Sequence, residues 1–221
     1  RYSVLSEAGL VPAYLMGLNI NKFRKNLRKC LIGREKIFLK DSSVKLANLI
    51  LNKNIKNLVF LNYAPELEKF LRWAQQLIAE SLGKRNLGIL PTISNVPRDH
   101  HSLLQLYLDG PRDKLFHIFS FKMSSSERII TKKLNNQLNF LNNKSLDEIK
   151  LTQKKALIKV LKKNKIPFRE HTISSISEES LAELFSYFIL ETAIVGKLIK
   201  VNPFDQPAVE QVKVFTKKLL N

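Results

Sequence analysis

The run Leu58-Val59-Phe60-Leu61, followed by Asn62-Tyr63-Ala64-Pro65 and then by apolar residues at 67, 70, 71, 74, 77, 78 and 82 before Gly83, decides the fold. Four consecutive apolar residues after a lysine-asparagine turn are the mark of a buried strand. The next segment changes period: its apolar positions recur at three and four, so Pro65 opens a long amphipathic helix that Gly83 closes.

The same alternation continues downstream. Residues 87–90 read as a short strand ended by Pro91, residues 101–108 as a helix stopped by Asp109-Gly110-Pro111, and residues 115–121 as another strand. The polar stretch 123–145 keeps helical spacing at Ile130, Leu134, Leu138 and Leu141, which suggests helix in part of it. Residues 146–163 form a strongly basic helical pattern whose lysines are expected on its wet face, and 168–173 read as an edge strand. Ser177 caps a long helix to residue 200 with Glu179 in its first turn, and a last helix runs over 207–220. Upstream, Val4, Ala8, Val11, Leu15 and Leu18 follow helical spacing, with Pro12 marking a kink or a restart; a basic helical stretch over 20–31 and a further helical stretch over 42–51 follow. Strand and helix alternating through short connections predict an α/β fold, a mostly parallel sheet covered by helices on both faces, with extra helices at both ends. Ligands of such sheets sit beyond the carboxyl ends of the strands. Neither GxGxxG nor a Walker-type loop is present, so no nucleotide cofactor is indicated.

A chain of 221 residues with 44% hydrophobic content can bury a sizeable core. The single cysteine, Cys30, excludes an internal disulfide framework and a cysteine-based zinc cluster, and points to a reducing, cytoplasmic setting. No secretory start is visible, and the most apolar helical stretch, 181–199, carries Glu183, Glu191 and Lys197, which argues against a membrane span. The net charge of +18 would attract polyanions or phosphorylated metabolites. Aromatic residues are not interleaved with the lysines as a single-strand groove requires, and no nucleic-acid-binding signature accompanies them. Nucleic acid is therefore not the expected partner.

Three stretches hold residues suited to chemistry. Asn202-Pro203-Phe204-Asp205-Gln206-Pro207-Ala208-Val209-Glu210 leads to Lys213; Pro207 suits a first helical turn, Asp205 stands where a capping carboxylate would, and Glu210 and Lys213 share a face. Gln76 and Glu80 lie four apart near the end of the long amphipathic helix, so amide and carboxylate can reach one ligand. By composition alone Glu80 also reads as an ordinary solvated glutamate. Pro97-Arg98-Asp99-His100-His101-Ser102 opens a helix with Asp99 as its cap and His101 in its first turn, where an imidazole can move protons near neutral pH. Adjacent histidines cannot both ligate one metal from a helix start, and nothing downstream completes a zinc set, so no metal is expected. Ser124-Ser125-Ser126 could suggest a phosphate loop but reads better as a plain loop.

Four segments, in order, resemble the glucose-6-phosphate isomerase family: the chain's opening Arg1-Tyr2-Ser3-Val4-Leu5-Ser6-Glu7-Ala8-Gly9-Leu10, the Gln75 to Lys84 string ending in Glu80-Ser81-Leu82-Gly83-Lys84, the His101 to Pro111 string, and the Asn202 to Lys213 string. The resemblance implies a sugar-isomerase (SIS-type) three-layer α/β sandwich, and an aldose–ketose isomerase acting through a cis-enediol with neither metal nor cofactor. It carries the catalytic base onto Glu80, the cation beside the developing charge onto Arg1, ring-opening proton transfer onto His101 and Lys213, and a substrate contact onto Gln76. His100 stands where the family commonly has glutamine and is a bystander. The resemblance further implies a homodimer in which His101 serves the neighbouring subunit's site, and a hexose 6-phosphate substrate.

The pattern also departs from the family: the two glycines that normally precede the first arginine are absent, and Ala208 replaces a commoner glycine. The chain starts at this first motif without a methionine, so it reads as the C-terminal part of a longer enzyme whose N-terminal domain carries the phosphate cradle. It is expected to fold yet be inactive alone. The corresponding division is a helical segment over residues 1–45, a second SIS domain over 46–203, and a C-terminal helix over 204–221 bearing the lysine. A non-catalytic sugar-phosphate-binding module of the same fold is the alternative function.

Overall fold

The structure, a computed structural model, describes residues 1–52, 54–122, 127–129 and 136–220. Ser124 to Ser126, Ile130 and Leu134, singled out above, lie outside these residues. In chain order the elements are α1 (Glu7–Leu15), α2 (Ile20–Lys25), α3 (Gly33–Leu51), β1 (Asn57–Asn62), α4 (Glu68–Leu82), β2 (Leu90–Asn95) and α5 (His100–Asp109). They continue with β3 (Lys114–Phe121), β4 (Arg128–Ile129), β5 (Lys144–Ser145), α6 (Leu146–Lys163), β6 (Phe168–Ile173), α7 (Glu178–Leu198) and α8 (Ala208–Leu220). The fold is α/β, a mostly parallel four-stranded sheet flanked by helices. The chain forms two compact units, one of Asn57–Leu71 and Thr92–Ile176, the other of Arg1–Lys56, Arg72–Pro91 and Ser177–Asn221.

The sheet has the order β2-β1-β3-β6, with β3 parallel to both β1 and β6. Leu58 to Leu61 are buried within β1, as the unbroken apolar run requires. On one face Val59, Leu61, Phe116 and Ile118 meet Leu157 and Leu161 of α6 and Leu104, Tyr107 and Leu108 of α5. On the other, Phe60 meets Phe119 edge-on at 5.8 Å, and the His171 ring stacks on Phe119 at 4.6 Å. Helix α6 starts where a capping box forms: the Ser145 hydroxyl accepts from the Glu148 N–H, and the Glu148 carboxylate accepts from the Ser145 N–H.

β2 differs from the expected strand over 87–90. Arg85, Asn86 and Gly88 take positive φ, so the chain is still turning there, and a Cβ on Gly88 would fall 2.9 Å from the Gly83 Cα. Pairing begins only where the Leu90 N–H reaches the Lys56 carbonyl at 2.8 Å. Pro91 is accommodated inside the strand because β2 is an edge, where a missing N–H breaks no ladder bond. Its carbonyl accepts from Gln75 Nε2.

The lysines of α6 do not all face water. The Lys154 side chain is 8% exposed and its ammonium donates to Ser120 Oγ at 3.0 Å and Glu170 Oε1 at 2.6 Å. A long charged side chain crossing the sheet face is retained because both contacts satisfy the ammonium.

In the other unit, α3 and α2 pack on α7, and the Glu191 carboxylate of α7 accepts from Ser42 and Tyr187 hydroxyls at 2.7 and 2.8 Å. Helix α3 begins at Gly33, ahead of the expected residue 42, after an Ile32 that provides no side-chain cap. The basic stretch over 20–31 divides into α2 and a 3-10 turn, Lys29–Leu31. Pro12 sits inside α1, which continues to Leu15. Among the described residues no helix is long and apolar enough to cross a membrane.

Candidate active site

Helix α4 presents Gln76 and Glu80 one turn apart because its opposite face, with Leu71, Ala74, Leu77, Ile78 and Leu82, is buried. Gln76 Nε2 donates to Glu80 Oε1 at 2.9 Å, and the Arg1 guanidinium donates to the other oxygen, Oε2, at 2.6 Å. The carboxylate is thus held from both sides by groups the sequence singled out.

Arg1 is anchored throughout its length, contrary to the usual state of a first residue. Its carbonyl accepts from Trp73 Nε1, and Trp73 packs edge-on against Phe185 at 4.6 Å. Its Nε donates to Ser81 Oγ, and its two terminal nitrogens also reach Gln206 Oε1 and the carbonyls of Pro203 and Asp205. Only 7% of the side chain is exposed. The adjacent Tyr2 hydroxyl donates to Ser81 Oγ at 3.0 Å, and burial pushes its pKa up.

Glu80 opens onto a cavity of about 840 Å³ lined by residues that include Lys84, Asn202, Asp205 and Gln206, and by Ala208 and Val209 at the start of α8. Lys213 is not among its lining residues. The Lys213 ammonium pairs with Glu210 at 2.7 Å and borders a separate groove with Val212, Thr216, Lys217 and Leu220. Val209 and Lys213 are four apart on one side of α8, so the lysine stands one turn beyond the cavity wall.

Asp205 does not cap α8. Lys84 Nζ takes one of its oxygens at 2.9 Å and Asn202 Nδ2 the other at 3.0 Å. The hydrogen bond from Lys84 holds the Asp205 carboxyl below the usual carboxylate range.

His101 belongs to the sheet-bearing unit, exposed in the first turn of α5. Asp99 occupies the N-cap position in a helical rather than extended conformation, so its side chain turns back to accept from the Asn95 N–H at 2.8 Å instead of capping. His100 lies 3.2 Å from the Tyr63 hydroxyl, and burial lowers its pKa.

Sequence reasoning did not identify Ser81, Lys84 and Asp205 as partners of this cluster. Each stands inside a quoted motif, yet their meeting is a tertiary event that no local spacing encodes. Among the described residues no group of three or more His, Cys, Asp or Glu side chains gathers as metal ligands would.

This sheet and its flanking helices make a sugar-isomerase-like fold. Two solved structures are similar: a hypothetical protein of Thermus thermophilus, at 27% identity and a TM-score of 0.85 over 97% of this chain and 54% of that one, and a glucose-6-phosphate isomerase of Chlamydia trachomatis, at 17% identity and 0.57 over 75% and 34%, which speaks for the fold alone. No protein-family model matches the chain.

The curated relatives carry a more specific name. The chain is 31% identical to glucose-6-phosphate isomerase of Methanocaldococcus jannaschii over 100% of its own length and 55% of that protein's. It is 33% identical to the probable glucose-6-phosphate isomerase of Methanococcus maripaludis over 96% and 49%, and 31% identical to that of Mycoplasmopsis pulmonis over 100% and 53%. The chain is a relative of the glucose-6-phosphate isomerases and matches their C-terminal portion. It spans about half the length of the curated relatives it matches.

Proposed function

We propose that this chain is the C-terminal part of an enzyme that interconverts glucose 6-phosphate and fructose 6-phosphate in the cytoplasm, as a step of glycolysis and gluconeogenesis. The observation that carries the reading is the Glu80 carboxylate gripped by Arg1 on one oxygen and Gln76 on the other, beside an open cavity. A carboxylate needs no metal or redox cofactor to move a proton between neighbouring carbons.

In the proposed reaction, Glu80 takes the C2 proton of the open-chain aldose. The electron pair moves to form the C1–C2 double bond of a cis-enediolate, and the charge on oxygen is stabilised by Arg1. The O2 proton passes to O1, the C2–O bond becomes the carbonyl, and returning the carbon-bound proton to C1 gives the ketose. Gln76 yields its hold on Oε1 to the sugar. His101 and Lys213 serve ring opening, shuttling protons at the ring oxygen and its hydroxyl. Val209 lines the Glu80 cavity one turn before Lys213, so release of Lys213 from Glu210 is the movement that would bring it into play. The phosphate is assigned to the N-terminal half of the complete protein. His101 is assigned to the active site of the second subunit of a homodimer.

The test is an assay of glucose 6-phosphate formation from fructose 6-phosphate, with the chain alone and with the complete protein, including mixed dimers of His101→Ala and Glu80→Gln subunits. The chain alone is expected to be inactive, the complete protein to turn over, and the mixed dimers to recover activity that neither parent shows. A folded complete protein without isomerase activity would refute the function, and mixed dimers as inactive as their parents would refute the sharing of His101.

A further inference from the structure

We propose that the Lys84–Asp205 ion pair is a positioning device for catalysis, clamping residues 202–206 in the conformation that fixes Arg1 beside Glu80. This inference rests on the reading of Glu80 as the base and of Arg1 as the cation of the site.

The argument begins with the donors of Arg1. A guanidinium has five N–H groups in a rigid fork. One of them meets Ser81, one meets Glu80, and the other three contacts go to Gln206 Oε1, the Pro203 carbonyl and the Asp205 carbonyl. More of the guanidinium is therefore held by the 203–206 segment than by the carboxylate it serves. If that segment moves, the fork rotates, and its contact with Glu80 is the one it must give up or distort.

The segment is fixed in turn from two sides. Pro203 is buried against α7 at Gly196, where an added Cβ would stand 2.9 to 3.2 Å from the Pro203 ring, so the backbone can approach only because Gly196 has no side chain. On the other side stands Lys84, with 12% of its side chain exposed. Its ammonium donates to the Ser81 carbonyl at 3.2 Å and to the Asn202 carbonyl, and pairs with Asp205 Oδ1. Asn202 completes the lock, donating to Asp205 Oδ2 and accepting from the Phe204 N–H. Asp205, the one charged residue of 202–206, is thus committed to holding loop to helix end. Ser81, whose carbonyl Lys84 engages, is the residue after Glu80 and itself accepts from Arg1.

Asp205 touches Arg1 through its backbone carbonyl, and Lys84 touches the loop and the Ser81 carbonyl rather than the Glu80 carboxylate, so loss of either side chain should lower the rate through geometry. A displacement of about 1 Å at a reacting group can cost up to ~10²-fold.

The experiment uses the complete protein, with fructose 6-phosphate as the probe and thermal unfolding as the check on folding. Asp205→Asn and Lys84→Met are each expected to lower kcat by roughly 10- to 10²-fold with KM unchanged. The double variant should be no slower than the slower single one, and Lys84→Arg, which keeps a charge able to reach Asp205, should restore most of kcat. Folded variants with unaltered kcat, an effect confined to KM, or no rescue by Lys84→Arg would overturn the clamp. Should Asp205→Asn fail to fold, the Lys84→Met and Lys84→Arg comparison decides alone. Glu80→Gln run in parallel separates the two levels: an active Glu80→Gln refutes the catalytic reading beneath, whereas an inactive Glu80→Gln beside normal Lys84→Met refutes only the clamp.

Discussion

Glu80→Gln in the complete protein is expected to lower kcat by ~10²–10⁴-fold, the usual cost of deleting a well-placed general base. The substitution is chosen for what it leaves intact. Glutamine keeps the length and the planar end of the side chain, so one oxygen can still accept from Arg1 at the place where Oε2 now stands 2.6 Å away. The amide nitrogen takes the place of Oε1, and Gln76 can meet it by turning its own amide so that oxygen replaces nitrogen. What is lost is the ability to accept a proton from carbon. Arg1 also keeps four contacts that do not involve Glu80, so the thermal midpoint should move little. Turnover at the wild-type rate in a folded Glu80→Gln protein would remove Glu80 from the mechanism.

The second large effect is on stability, and it comes from the sheet. His117 is fully buried, and among the described residues neither of its ring nitrogens has a hydrogen-bond partner. His171 faces it across the β3–β6 pairing at 5.2 Å between ring centroids. Burial is the first cause in both, seconded by the positive charge of Arg169: it pushes His171 down to about 3 and His117 well below its ordinary value. The folded protein therefore keeps both rings neutral while the unfolded chain protonates them as pH falls through about 6.5. Stability from this source is complete above that pH and is lost progressively below it, by up to ~1.4 kcal/mol per pH unit for each ring. Urea unfolding between pH 7.5 and 5 should give a slope for the wild type that exceeds that of the His117→Leu/His171→Phe protein by up to ~2.7 kcal/mol per pH unit. Equal slopes would mean that the two rings already titrate in the folded state. Comparing slopes rather than absolute stabilities removes the packing cost of the substitutions themselves.

The sheet and its main helices were legible because burial imposes a period on the sequence. β1, α6 and β6 stand where an apolar run, a helical stripe and an edge pattern put them. β2 was displaced because its boundary is set by backbone conformation: left-handed Arg85 and Asn86 carry no distinctive side-chain signal, and a proline inside a strand is readable only once the strand is known to be an edge. The start of α3 was hidden for a similar reason, since Ile32 offers no cap and the first turns of the helix are mostly exposed. Lys154 looked like its neighbours because nothing in a run of lysines tells which one faces Ser120 and Glu170.

The candidate site was legible in another way. Helical spacing put Gln76 and Glu80 on one side of a helix, but only the resemblance singled out Glu80, Gln76 and Arg1 as site residues; the structure brings these three together. The loop that holds Arg1 could not be foreseen, because a contact between residues 1 and 203–206 exists only after the chain has folded.

The most direct test of Glu80 as the base follows the proton itself. Fructose 6-phosphate incubated in D2O with the complete wild-type protein should acquire deuterium at C1, and the glucose 6-phosphate formed should carry it at C2, both seen by proton NMR. With Glu80→Gln the C1 exchange should disappear along with isomerisation. Exchange at C1 persisting undiminished in the Glu80→Gln protein would contradict the account, since another group would then be removing the proton.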